Sequence, residues 1–197
     1  VIAAIAQRDI KRALAFSSIA HAGFLLTGVL ALNQNGLGGS LFYLITYGFT
    51  TLGAFGIVTL VRDSAGEVTD LNRWAGLGKK SPIVATVFSL FLLSFAGIPL
   101  TAGFVGKFAI FSAAYASGNI SVVIAGVLAS AVAAFFYIRI VVLMYFNDPQ
   151  EDGTSVVIPS PVTAITIGVC AVATIILGIF PQPVINTITS LATFVAG

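Results

Sequence analysis

The chain has 197 residues, 58% of them hydrophobic and only 8% charged, with a net charge of +2 and a mean hydropathy of +1.06. Soluble domains carry about 25% charged residues, so this composition cannot cover a water-facing surface, and the small net charge points away from nucleic acid. The one cysteine, Cys170, rules out a disulfide within the chain and a cysteine metal cluster, and its apolar surroundings in sequence suit a small buried hydrophobe.

Val1–Ala6 reads like the tail of a preceding apolar segment, and the chain begins without Met, which predicts one piece of a longer protein. Five apolar blocks follow, at Ala13–Leu32, Leu41–Val61, Pro82–Ala116, Ile120–Phe146 and Pro161–Phe180. A membrane-crossing helix needs roughly 20 apolar residues. The expected fold is therefore all-α, a polytopic membrane helix bundle with about five transmembrane segments. No internal repeat or low-complexity stretch divides it, so residues 1–197 read as a single membrane domain.

Short polar connections at 33–36, 117–119 and 148–149 separate the blocks, and only the mixed-charge stretch Arg62–Ser81 is long. Its Trp74 is of a type that favours the membrane interface. Arg8, Lys11 and Arg12 precede the first block, and Arg62, Arg73, Lys79 and Lys80 follow the second. If each block crosses once, these seven of the nine Lys and Arg residues share one side. The positive-inside bias puts that side in the cytoplasm and the C-terminus outside.

The third block is too long for one span. As a straight helix Pro82–Ala116 would reach roughly 50 Å, against a hydrocarbon core of about 30 Å. Its middle holds Gly97, Pro99, Gly103 and Gly106. Proline breaks the helical ladder and glycine lowers the cost of leaving helical geometry, which predicts a broken helix. The backbone groups freed by a break are tolerated only inside protein or beside a hydrated cavity, and transporters use such interruptions as ion sites.

Lys107 lies just beyond this break, about nine residues or roughly 14 Å of helix from the end of its block. A lysine at that depth costs on the order of 3 kcal/mol unless it meets water or a counter-charge. It is the leading candidate for proton transfer; the structural alternative is a lysine paired to a carboxylate or carbonyl in another subunit. His21, the only histidine, lies roughly 13 Å into the first block and is a second proton-transfer candidate, with Ser17 and Ser18 one turn earlier suggesting a polar stripe. Arg139 lies roughly 10 Å inside the fourth block, where it can set a local potential, snorkel, or pair with Asp148. Gly126, Ser130 and Ala134 at four-residue spacing read as a helix-packing face. No block contains an acidic residue, so a carboxylate partner for Lys107 is expected from sequence beyond this stretch or from another subunit.

After Pro181 and Pro183, the residues Val184, Ile185, Ile188, Leu191, Ala192 and Val195 recur at helical spacing. They predict a C-terminal amphipathic helix, lying along the outer interface or against a neighbouring subunit. The chain shows no nucleotide-binding loop, metal-ligand spacing or nucleophile–base pair.

Two stretches carry a family resemblance. Asp9–Gly23, DIKRALAFSSIAHAG, resembles the signature of the antiporter-like membrane subunits, and within them the N-subunit family of bacterial proton-pumping NADH:quinone oxidoreductase, respiratory complex I. Ala96–Phe108, AGIPLTAGFVGKF, is similar to the broken twelfth helix of that family, and Leu128–Phe146 to its thirteenth. The resemblance implies that the five blocks are helices ten to fourteen of fourteen, so that the chain is a C-terminal fragment. It implies that Lys107 is the lysine of a hydrophilic axis along which protons pass, with His21 near the same axis. It further implies other complex I membrane subunits and lipids as partners. The NADH, FMN, iron–sulfur clusters and quinone are then expected in partner subunits, with no cofactor in this chain. The location implied is the bacterial inner membrane. The family's glutamate on helix five and lysines on helices seven and eight have no counterpart here, so this stretch would not complete a proton path alone. A stand-alone cation/proton antiporter and a structural or assembly subunit are the competing readings.

Overall fold

In the computed structural model, residues 2–149, 154–158 and 160–192 are described. After a short turn, α1 (Ile2–Ile5), come α2 (Ile10–Val29) and α3 (Gln34–Leu60). Two short strands, β1 (Val61–Asp63) and β2 (Gly66–Glu67), a 3-10 turn at Leu71–Trp74 and the short α4 (Leu77–Lys80) lead to α5 (Pro82–Ala96). Then follow α6 (Ala102–Ala116), α7 (Ile120–Phe146), β3 (Ser155–Val156), α8 (Pro161–Ile179) and α9 (Gln182–Ala192).

The helix starts follow from local chemistry. Asp9 and Asn33 are N-caps whose side chains accept from the N–H groups of Arg12 and Gly36, at 2.9 and 2.8 Å. Ser160 caps α8 in the same way, with Pro161 in the first turn, where its missing N–H costs nothing. Four helices, α2, α3, α7 and α8, are long and apolar enough to cross a membrane, and α5 and α6 are two apolar helices of 15 residues each.

Burial is inverted relative to a soluble protein. Leu26, Leu128, Phe135, Val162 and Ile165 are exposed, whereas Ser17, His21, Thr46, Thr50, Ser94 and Lys107 are buried. Only an apolar solvent makes that distribution favourable, and the chain is a multi-pass membrane protein. Helix α3 is the hub, packing against α2, α5, α6, α8 and α9. The largest core cluster gathers Leu14, Ile57, Phe88, Phe91, Phe136, Tyr137 and Ile167 from five helices.

The two ends of the bundle differ. At one end β1 pairs antiparallel with both β2 and β3, a small sheet that hydropathy patterning did not anticipate. Ion pairs Lys11–Glu67, Arg73–Asp63 and Lys79–Asp148 lie there. The Arg73 guanidinium, helped by the N–H groups of Ala65 and Gly66, holds the Asp63 carboxyl below the usual carboxylate range. At the other end, Asn33 donates to Ser117, Ser117 to the Ala31 carbonyl, and Asn119 to the Leu30 carbonyl, joining the two uncharged connections.

Two expectations gain detail from the packing. Trp74 lies at the charged end but turns inward: it is fully buried, donates to the Val68 carbonyl at 2.9 Å and packs on Phe88, because the long connection folds over its own small core. The tail helix sets part of its apolar stripe against its own chain. Val184, Ile185 and Ile188 pack with Phe42, Phe49, Ala102, Val105 and Leu177. Val195 and the side chains of Leu191 and Ala192 lie outside what is described.

Candidate functional site at the broken helix

The break is built from two half-helices that cap each other. Helix α5 ends at Gly97, whose φ of +80° lies in the left-handed region that favours glycine. The N–H of Ile98 returns to the Leu93 carbonyl and that of Gly97 to the Ser94 carbonyl, both at 3.0 Å, the double bond pattern of a Schellman ending. This leaves the last two carbonyls of α5, those of Phe95 and Ala96, without a helical donor. Lys107 of α6 supplies it: Nζ donates to the Phe95 carbonyl at 2.7 Å and to the Ala96 carbonyl at 3.3 Å. In return, the Ser94 hydroxyl of α5 accepts from the N–H of Gly103 in the first turn of α6, at 3.1 Å. The orphaned backbone groups that forbid a break in lipid are thus satisfied within the protein.

Lys107 is 5% exposed. Its third donor bond goes to the Ser130 hydroxyl on α7 at 2.9 Å, and Nζ lies 4.9 Å from the ring centroid of Phe24. No carboxylate bonds or ion-pairs with it among the described residues. The negative end of the α5 dipole stands where a counter-ion would.

Gly97 and Pro99 lie in or at the break, as the residue types predicted. Gly103 and Gly106 do not: they are inside α6. Their role is close approach rather than unwinding. A Cβ at Gly103 would fall 1.9 Å from the Ser94 carbonyl oxygen, and one at Gly106 would fall 2.4 Å from the Tyr43 ring.

His21 is buried beside this site in a chain of hydrogen-bonding side chains. Its Nδ1 is 2.5 Å from the Tyr43 hydroxyl of α3 and its Nε2 is 3.1 Å from the Tyr137 hydroxyl of α7. Tyr137 also bonds Ser17, one turn before His21 on α2. Tyr47 stacks on the imidazole at 4.7 Å. The polar stripe expected from Ser17 and Ser18 is half right, since Ser18 instead bonds back to the Leu14 carbonyl of its own helix. Phe24 stands between the two polar groups, edge-on to His21 at 5.7 Å and beneath Lys107.

Arg139 is not brought to this site. It is exposed and lines a cavity of about 270 Å³ with Gln7, Asn72 and Asn147 near the sheet end. Asp148, its suggested partner, pairs with Lys79 at 2.7 Å. Sequence reasoning read Ser130 as packing alone and missed Tyr43 and Tyr137. Each is a polar group in the middle of an apolar block, which in a membrane requires a partner, and that was the available signal.

Comparison with known proteins places this geometry. Residues 1–133 match the family model described as NADH:quinone oxidoreductase/Mrp antiporter, TM. The NADH-quinone oxidoreductase subunit N of Rhodococcus opacus is 57% identical over 193 residues, covering 98% of this chain and 36% of that protein. A subunit N of Streptomyces griseus is 57% identical, covering 98% of this chain and 35% of the relative, so the chain spans about a third of the length of such relatives. A chain in the structure of respiratory complex I from Thermus thermophilus with bound Aureothin superposes with a TM-score of 0.81 at 31% identity, covering 94% of this chain and 41% of that one. The Mrp complex from Dietzia contains the same fold, with a TM-score of 0.82 at 22% identity over 97% of this chain and 43% of that one. This chain therefore belongs to the NADH:quinone oxidoreductase/Mrp antiporter family of membrane proteins.

Proposed function

We propose that this chain forms part of an N-type subunit of a proton-translocating NADH:quinone oxidoreductase, and that Lys107 takes up and releases the proton. The observation that carries this reading is a buried amine held by three neutral acceptors at a helix break, with no carboxylate among the described residues to fix its charge. A lysine locked in an ion pair keeps its proton; one held by carbonyls and a hydroxyl can exist in either state, so that charges elsewhere in the complex select between them. His21, with its tyrosine partners, is a second relay near it. Redox cofactors and quinone belong to partner subunits in this reading, and residues 1–197 act as one domain. The 57% identity to subunit N relatives supports this over a stand-alone antiporter, for which likeness of fold at 22% identity is the support.

Lys107→Ala in the intact complex, in sealed vesicles, is expected to abolish or strongly reduce proton uptake driven by NADH oxidation. Undiminished uptake in that variant overturns the reading.

A further inference from the structure

We propose that the Ser130 hydroxyl is the relay through which Lys107 exchanges its proton. This rests on Lys107 being the proton carrier.

The three acceptors around Nζ are not equivalent. The carbonyls of Phe95 and Ala96 can only accept, whereas a hydroxyl both accepts and donates. As an ammonium, Lys107 fills all three with its three N–H bonds. As a neutral amine it keeps two N–H bonds, enough for the two carbonyls, and has a lone pair facing the third partner. Only a donor at that third position satisfies both states, and Ser130 is placed there.

The serine's own proton is free for this duty. Ser18, Ser89 and Thr174 each donate to the carbonyl four residues earlier in their own helices. Ser130 makes no such bond among the described residues; the contact at 2.9 Å with Nζ is the one it makes.

The transfer balances with water as the co-reactant. One Nζ–H bond breaks as its proton passes to Ser130 Oγ, and the original Oγ–H bond breaks as that proton passes to a water molecule, giving hydronium. Lys107 becomes a neutral amine, and the proton newly bound to Oγ lies toward its lone pair. The product of the transfer is thus already hydrogen-bonded, and reprotonation runs the same steps in reverse.

Threonine and valine at position 130 have nearly the same shape and differ by the hydroxyl, which separates relay from packing. NADH-driven proton uptake is measured in sealed vesicles carrying the intact complex with Ser130→Thr, Ser130→Val or Lys107→Ala. The Thr variant is expected within about twofold of the parent, and the Val variant slower by about tenfold or more, the size of a lost hydrogen bond to a charged group. Equal rates in the Thr and Val variants overturn the relay. If Lys107→Ala stops uptake while Thr and Val are equal, only the relay fails; if Lys107→Ala pumps normally, the proton-carrying reading itself fails.

Discussion

At the scale of single residues, the site depends on polar groups that each complete another. Among the described residues, the Tyr137 hydroxyl meets both Ser17 and the Nε2 of His21, whereas that of Tyr43 meets only Nδ1. Removing a phenol strands its partners in a place water does not reach, at a cost of about 1–3 kcal/mol for each buried group left unpaired. Tyr137→Phe is therefore expected to lower the thermal stability of the solubilised complex more than Tyr43→Phe. Equal midpoints in the two variants would show that the additional Ser17 contact of Tyr137 adds nothing. Lys107 and His21 were legible as residues because an ionisable group in an apolar block stands out. Their partners were not, because a serine at small-residue spacing and a tyrosine among phenylalanines look like packing until neighbouring helices are placed.

At the scale of elements, the broken helix is a pair of half-helices locked by contacts in both directions. Its existence was readable from excess length together with Gly97 and Pro99. The roles of Gly103 and Gly106 were not, since a glycine that permits unwinding and one that permits contact are the same letter. The distinction is testable. Gly97→Ala imposes the left-handed penalty of roughly 1–2 kcal/mol and brings a Cβ to 3.1 Å from Lys107 Cδ. Gly103→Ala drives a Cβ onto the Ser94 carbonyl and must part the two half-helices, removing the Ser94 cap and displacing the carbonyls that hold Lys107. Gly103→Ala should be the more damaging to assembly and proton uptake; a milder phenotype than Gly97→Ala would mean the close approach is not needed. The tail helix teaches a related lesson. Its apolar stripe was evident, but what covers it was settled by the groove that α3, α6 and α8 leave.

At the scale of the whole molecule, charge is partitioned between the two ends. The sheet, Trp74 and the three ion pairs cap one end, and Asn33, Ser117 and Asn119 lock the other without a charge. We propose that the charged end faces the cytoplasm and the C-terminal helix the outside, by the bias that retains Lys and Arg on the inner side. In inside-out vesicles, a membrane-impermeant thiol reagent should label Lys80→Cys and leave Gly118→Cys unlabelled until the membrane is opened; the reverse pattern would invert the topology. That the chain crosses a bilayer, which block is interrupted and which amine lies deep could all be read from residue order. Those properties follow from the cost of placing each residue type in hydrocarbon, and that cost is local. Only the packing of the helices brought Lys107 to the end of α5, set Ser130 as its third acceptor and put His21 between two phenols. Each of these joins residues many turns apart, and only the packing of helices fixes which polar groups meet.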